Sequence, residues 1–153
     1  MVITVSGSTG TIGSELIRLL SAAGAPTRAV YRNANKIRPL PGVVWLGADL
    51  GDQRALEPAI AGTDRLFLLT DNQAGFDQVQ IEILRAAEAC GVAHVVKLSA
   101  LGASDHSKSP IGREHYEVEQ ALQRTSMGWT ILRPHAFMQN WLGEVAESVR
   151  TRG

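Results

Sequence analysis

The chain has 153 residues, 44% of them hydrophobic, and its 15 basic side chains equal its 15 acidic ones in number. This length suits one domain with a sizeable core, and a balanced charge without a basic run argues against nucleic acid as an obligatory partner. No apolar stretch approaches the roughly 20 residues of a membrane-spanning helix, and the single cysteine, Cys90, has no partner for a disulfide or a metal pair. We therefore expect one cytoplasmic domain over residues 1–153, with no bound metal, nucleic acid or membrane.

The first predicted element is an apolar strand at residues 2–5, which leads into Gly7-Ser8-Thr9-Gly10-Thr11-Ile12-Gly13 and an amphipathic helix. A strand, a glycine turn and a helix in this order are typical of a dinucleotide-binding loop. The glycines permit a tight turn, close approach of a pyrophosphate and close packing of helix on sheet, while the first helical amides hold the phosphates. The Gly-x-x-Gly-x-x-Gly spacing is less common than Gly-x-Gly-x-x-Gly, and a glycine turn without a ligand is the alternative. The residues expected to contact the coenzyme are Gly7, Thr9, Gly10, Thr11, Ile12 and Gly13.

The rest of the chain alternates between short apolar strands and helices. Strands are predicted at 27–31, 43–46, 66–69, 92–98 and 129–132, and helices at 53–61, 78–90, 113–124 and 137–150, with a polar loop at 102–112. Such alternation predicts a doubly wound α/β fold, the Rossmann arrangement, with a mostly parallel six-stranded sheet in the order 3-2-1-4-5-6. The ligand is expected across the carboxyl ends of strands 1 and 4.

The residues after the second strand indicate which coenzyme is preferred. Enzymes that use NAD place an acidic residue there, which accepts the ribose 2′-hydroxyl. This chain has Arg32, with Lys36 four residues later. Because the planar guanidinium fork of arginine suits a phosphate group, we predict that NADP(H) is preferred over NAD(H). The alternative is that both residues are solvated surface cations.

Taken together, motifs along the whole chain resemble those of the NmrA-like family of atypical short-chain dehydrogenase/reductases. They are Gly7 to Gly13, Tyr31-Arg32-Asn33, Ala48-Asp49-Leu50, Lys97-Leu98-Ser99, Ile131-Leu132-Arg133-Pro134 and Phe137-Met138-Gln139-Asn140. The family includes NAD(P)H-dependent quinone and azo-dye reductases and redox-sensing regulators. Its members continue beyond the position of Gly153 into a further strand and a region that covers the substrate. The resemblance therefore implies that this chain lacks the C-terminal substrate region.

The resemblance also implies contacts with the adenine half of the coenzyme. Asp49 matches a position whose carboxylate meets the adenine amino group, with Leu50 near the ring, although an aspartate that only forms a turn is equally compatible with the sequence. Leu69 and Thr70 would border the ribose and pyrophosphate.

At the other half, Arg133 and Pro134 match the backbone that passes the nicotinamide amide. A simple strand terminator is the alternative for this pair, since proline cannot continue a ladder. Asn140 belongs to the same family signature, and its sequence position leaves open whether it contacts a ligand or caps the backbone.

The usual catalytic residues of short-chain dehydrogenases are only partly present. Ser99 stands at the serine position, but Tyr116 is followed four residues later by Gln120 where a lysine is needed to lower the tyrosine pKa. A second register, set by the family's glutamate, places His115 at the lysine position and Ile111 at the tyrosine position. The Tyr/Lys pair is absent in both registers.

Two classes of function follow. In the first, NADPH reduces a small electron-poor acceptor such as a quinone by direct hydride transfer, with Ser99 and His115 as candidate catalytic residues. His115 would donate a proton or bind the nicotinamide ribose, or else be an ordinary helix-surface residue. A metal held by His115 and Glu119 would lack a third ligand. In the second class, a non-catalytic NADP(H) sensor acts through a protein partner. Epimerisation of sugar nucleotides needs the missing pair and is disfavoured.

Overall fold

The computed structural model describes residues 1–135, 137 and 144–152. The strands are β1 (Ile3–Val5), β2 (Thr27–Tyr31), β3 (Val43–Gly47), β4 (Arg65–Leu68), β5 (His94–Leu98) and β6 (Gly128–Leu132). The helices are α1 (Thr11–Ala22), α2 (Gln53–Ile60), α3 (Phe76–Ala89), α4 (Pro110–Gln123) and α5 (Glu144–Arg152), with a 3₁₀ turn at Ala34–Lys36.

The strands form one six-stranded sheet in the order β3-β2-β1-β4-β5-β6, and every pair is parallel. The predicted Rossmann arrangement is therefore confirmed. Ile3 of β1 lies between Thr27 of β2 and Arg65 of β4, so β1 is central. Strands β2 and β3 are added on one side of β1, and β4, β5 and β6 on the other. The carboxyl ends of β1 and β4, at this switch in strand order, leave a crevice for a ligand.

Among the element boundaries that differ from the prediction, two helix starts have identifiable reasons. Helix α4 begins at Pro110, inside the predicted polar loop, because proline is well suited to the first turn of a helix. Helix α3 begins at Phe76, directly after Gly75, whose φ of 83° is a left-handed conformation that glycine adopts readily. Phe137, the first residue of the predicted last helix, is not helical, and residues 138–143 lie outside the described part of the chain.

Apolar side chains on the two faces of the sheet form separate cores. One core joins Val5, Ile17 and Ala29, and so packs α1 against β1 and β2. The other is larger and joins apolar side chains of α2, α3 and α4 to β4 and β5. Strand β4 contributes to both, since Leu68 enters the larger core while the neighbouring Phe67 packs against the core of α1. This alternation follows from the two-residue period of a strand.

At Gly7 and Gly13, the glycine loop between β1 and α1 makes backbone contacts too close for any other residue. A Cβ added at Gly13 would lie 2.2 Å from the carbonyl oxygen of Gly7, so the first turn of α1 packs directly on the loop backbone. Gly7 has a φ of +59° and leaves no room beside the carbonyl oxygen of Leu69, 2.8 Å from where its Cβ would be. A Cβ at Gly10, by contrast, would meet its nearest atom at 3.4 Å, an ordinary contact.

Two buried serine hydroxyls anchor the loop to the neighbouring strands. Ser8 donates a hydrogen bond to the carbonyl oxygen of Val30 at the end of β2. On the other side, the hydroxyl of Ser6 accepts a hydrogen bond from the amide of Leu69, at 2.9 Å. The loop is thereby tied to the strands on both sides of β1.

Gly13→Ala and Gly10→Ala should have very different effects on stability. In an ordinary helix, alanine is more favourable than glycine, but at Gly13 the added methyl group would overlap the Gly7 carbonyl. We expect Gly13→Ala to lower the free energy of unfolding by about 2 kcal/mol or more, and Gly10→Ala by less than about 1 kcal/mol. Urea denaturation of both variants measures the difference, and equal losses would show that the close packing at Gly13 is unimportant.

Candidate functional site

A cleft of about 1160 Å³ opens at the carboxyl ends of the central strands. It brings together the glycine loop, the end of β2, the segment after β3 and the segment after β4. Most of the coenzyme-binding residues expected from the sequence line it. They are Gly7, Thr9, Gly10, Thr11, Ile12, Arg32, Lys36, Asp49, Leu50, Leu69 and Thr70. Gly13 lies just behind this wall, in its packing role.

Helix α1 begins at the cleft with a terminus suited to an anion. Its N-cap is Gly10, which provides no side-chain hydrogen bond to the first turn. The amides of Thr11 and Ile12, which have no carbonyl partner earlier in the helix, therefore meet the cleft at the positive end of the helix dipole. A phosphate group is a natural partner for such a terminus.

At the end of β2, the predicted phosphate ligand Arg32 is already paired with an acid. Its Nη2 donates to Oδ2 of Asp71 at 2.7 Å, and both side chains are about half exposed (62% and 47%). Asp71 also lines the cleft. Sequence reasoning missed Asp71 because it is 39 residues from Arg32, and only the sheet order brings the ends of β2 and β4 together.

Asp49 has the turn role that the sequence allowed, and it also faces the cleft. Its Oδ1 accepts a hydrogen bond from the amide of Gly51 at 3.0 Å. This bond holds the backbone after β3 in a compact turn. The predicted contact of Asp49 with adenine is compatible with this turn, because the side chain still lines the cleft.

Thr70 is held in place by a residue that the sequence did not indicate. The side-chain amide of Gln80, which is 1% exposed, donates to the Thr70 hydroxyl oxygen at 2.6 Å. Because that oxygen accepts from Gln80, its own proton is directed elsewhere and is suited to donation to a ligand in the cleft. Gln80 belongs to α3, so this helix orients a cleft residue of the preceding loop.

The two candidate catalytic residues are buried in a polar cluster rather than placed along the cleft. We call it the Glu119 cluster, and its members are Lys97, Ser99, His115, Glu119 and Arg133. Ser99 donates to Oε1 of Glu119, and Nε of Arg133 donates to the same oxygen at 2.9 Å. Nη2 of Arg133 also donates to Oε2, so the guanidinium grips the carboxylate with two nitrogens.

His115 and Lys97 form the other half of the cluster. Nζ of Lys97 lies 3.0 Å from Nδ1 of His115 and also donates to the carbonyl oxygen of Leu98. When Lys97 is an ammonium it can only donate, and Nδ1 of His115 then accepts. The alternative that His115 is a surface residue is wrong, since it is 4% exposed and its helix turns it inward. Its ring stacks at a tilt on Phe76, with centroids 4.7 Å apart, and Phe76 lines the cleft.

Burial determines the protonation of the cluster. Desolvation lowers the pKa of Lys97 to about 7, against the opposing attraction of Glu119. Desolvation and then the charge of Lys97 lower the pKa of His115 to about 4. The hydrogen bond from Arg133 to Glu119 raises the pKa of that guanidinium, which stays charged. At neutral pH, His115 is therefore a neutral imidazole beside the Glu119–Arg133 pair.

Of the residues that the resemblance assigns to the nicotinamide, Arg133 and Pro134 are described by the structure and Asn140 is not. Arg133 is held by Glu119, and the amide of Leu101 donates to the carbonyl oxygen of Pro134 at 2.9 Å, which extends the pairing of β5 and β6. Neither Arg133 nor Pro134 is among the described residues that line the cleft.

Among residues 1–135, 137 and 144–152, no three histidine, cysteine, aspartate or glutamate side chains converge in a way that would hold a metal ion. Within the same residues, no helix combines the length and apolarity needed to cross a membrane.

Acid should destabilise the folded protein through His115. The His115 side chain takes up a proton near pH 6.5 in the unfolded chain but only near pH 4 in the folded protein. The stability that His115 contributes is therefore fully present above about pH 6.5 and is lost as the pH falls between these values. We expect a loss of about 1 to 2 kcal/mol from about pH 7 to about pH 5, measured by urea denaturation. His115→Asn should remove this part of the loss. His106→Asn, at a 92% exposed histidine, is the control and should retain it. Parallel pH profiles for wild type and His115→Asn would contradict the assignment.

Several known proteins are similar to this chain in sequence or in fold. A family model described as NAD(P)H-binding matches residues 7–151. The chain is 39% identical to an NAD(P)H azoreductase of Xenophilus azovorans, covering 99% of this chain and 53% of that protein. It is 31% identical to quinone oxidoreductase 2 of Escherichia coli, covering 92% of this chain and 50% of that protein.

Among solved structures, the NADPH-dependent quinone oxidoreductase of Escherichia coli complexed with NADPH superimposes with a TM-score of 0.85. The two are 29% identical, and the match covers 97% of this chain and 54% of that one. The chain thus spans about half the length of the curated relatives that it matches. The family resemblance inferred from the motifs is confirmed by these relatives: this chain belongs to the NAD(P)H-binding family.

Proposed function

We propose that the protein is an NADPH-dependent reductase of a small electron-poor acceptor such as a quinone or an azo compound, with residues 1–153 as its coenzyme-binding domain. The observation that carries the proposal is the cleft. It joins the uncapped start of α1, a basic residue after β2 and the ends of β1 and β4 in one concave surface. The azoreductase and quinone reductase relatives support the reaction class.

The residues of the cleft fit the parts of a dinucleotide. The glycine loop and the amides of Thr11 and Ile12 would hold the pyrophosphate. Arg32 and Lys36 would hold the 2′-phosphate, and Asp49 with Leu50 would meet the adenine. The space that a Cβ would fill at Gly7 and Gly13 is already taken by backbone, which explains why the loop is built from glycine.

When bound, the coenzyme supplies a hydride for an electron-poor acceptor. The chain's own contribution is to position the two reactants and to exclude water. Phe76, Val79 and Phe137 give the cleft an apolar wall, which limits the access of water to the reaction. Such positioning provides a large part of the rate when no acid or base is close.

Ser99 and His115 would then support the site rather than transfer protons. The Ser99 hydroxyl donates to Glu119, and His115 has a pKa of about 4, so its neutral ring is a poor acid at pH 7. We infer that the proton of the reduced product comes from water, without the usual Tyr/Lys pair. His115 also supports Phe76, the cleft residue on which its ring packs.

A redox sensor is the second candidate, and one observation favours it. Both candidate catalytic side chains have their hydrogen bonds inside the Glu119 cluster. A protein that only binds NADP(H) and signals to a protein partner needs affinity but no proton chemistry.

One assay separates these functions. NADPH oxidation is followed by absorbance with a panel of quinones and azo dyes, beside calorimetric titration of NADPH and NADP⁺. Turnover of at least one acceptor is expected for the reductase. Tight binding without turnover, in the full-length protein, would support the sensor, and the absence of binding would refute both.

Arg32→Ala should selectively weaken NADPH. Loss of a charge-assisted bond to the 2′-phosphate is expected to raise the Kd for NADPH about tenfold or more, with little change for NADH. Arg85→Ala is the matched control, because Arg85 is also an exposed, ion-paired arginine but lies on α3 away from the cleft lining. Calorimetry of both coenzymes provides the measurement. Equal weakening of NADPH and NADH, or wild-type affinities that favour NADH, would refute the NADPH preference.

A further inference from the structure

We propose that Asp71 is a specificity-determining residue that competes with the coenzyme's 2′-phosphate for Arg32. The inference rests on the proposed function, in which Arg32 binds that phosphate. It concerns a residue that neither the sequence motifs nor the relatives' activities indicate.

The position of the ion pair is the first argument. Arg32 directly follows β2, and Asp71 is in the segment between β4 and α3. Strands β2 and β4 lie on either side of β1, whose own continuation is the glycine loop. The 2.7 Å contact between Arg32 and Asp71 therefore joins the two sides of the cleft across the end of β1. Both side chains line the cleft, so a ligand there meets the pair.

The chemistry of the pair is the second argument. The carboxylate of Asp71 occupies a guanidinium nitrogen that a phosphate would need for a two-pronged contact. A phosphate on Arg32 would bring two anions close together, and like charges repel. The ribose 2′-hydroxyl of NADH, unlike the 2′-phosphate, is not repelled by a carboxylate and can donate a hydrogen bond to it. Asp71 therefore opposes NADPH and is compatible with NADH.

The surroundings allow Asp71 to yield when the phosphate binds. Its side chain is about half exposed. The residues from Asp71 to Gly75 are all exposed, and Gly75 has a left-handed backbone conformation. Lys36 lines the same cleft and adds positive charge that attracts the phosphate, while Asp49 adds negative charge elsewhere in the lining. Binding of NADPH thus includes the cost of separating Asp71 from Arg32. The coenzyme preference is set by this balance rather than by Arg32 alone.

The test is a calorimetric measurement of the Kd for NADPH and for NADH in wild type, Asp71→Asn, Arg32→Ala and the double variant. Asp71→Asn should lower the Kd for NADPH about threefold to tenfold and leave the Kd for NADH unchanged or higher. In the Arg32→Ala background, Asp71→Asn should produce a much smaller gain, because the competition acts through Arg32. Asp77→Asn removes the same charge nearby, at a residue outside the cleft lining, and should not change the ratio of the two constants.

Each other outcome counts against a specific claim. An unchanged ratio in Asp71→Asn, or an equal gain in the Arg32→Ala background, would overturn the role of Asp71 while the proposed coenzyme binding stands. A gain of the same size in Asp77→Asn would reduce the effect to general charge and would overturn it as well. Failure of every protein, including wild type, to bind either coenzyme would overturn the proposed function together with this inference.

Discussion

The coenzyme end of the molecule depends on one close backbone contact, that between Gly13 and the carbonyl group of Gly7. A side chain at Gly13 would fall 2.2 Å from that oxygen, so the start of α1 packs directly onto the loop that leaves β1. This contact places the positive end of the helix dipole at the carboxyl edge of the central strands. The bonds of Ser6 and Ser8 then fix the loop between β4 and β2. The cleft is a consequence of this packing.

Two groups of charged side chains near the cleft differ in burial. At the cleft, Arg32 and Asp71 are accessible and can exchange partners with a ligand. In the Glu119 cluster, by contrast, the Glu119 carboxylate is fully buried and is held by Ser99 and by Arg133, whose side chain is 45% exposed. Loss of Arg133 would be costly because it would leave the buried Glu119 carboxylate without its charged partner. The first group is therefore suited to recognition, whereas the second stabilises the arrangement of β5, β6 and α4.

The fold followed from the sequence more completely than the site did. The alternation of strands and helices predicted the strand order, and the glycine loop predicted the helix terminus at the cleft. His115 was harder, because a helical pattern with many polar residues leaves its inward face ambiguous. Its burial depends on Phe76 and Lys97, which come from other elements. The start of α4 at Pro110 was missed because a serine- and proline-containing stretch also suits a loop.

By itself, the sequence determined the features whose causes are local. The glycine spacing, the two-residue and helical periods and the basic residue after β2 act over a few neighbouring positions, and each was visible in the chain. Only the tertiary structure decided which distant side chains meet. Arg32 pairs with Asp71, which is 39 residues away in the sequence, and Ser99 hydrogen-bonds to Glu119, which is 20 residues away. The physical reason is that such pairs depend on the order of strands in the sheet and on the packing of helices over it, which no local pattern of residues records.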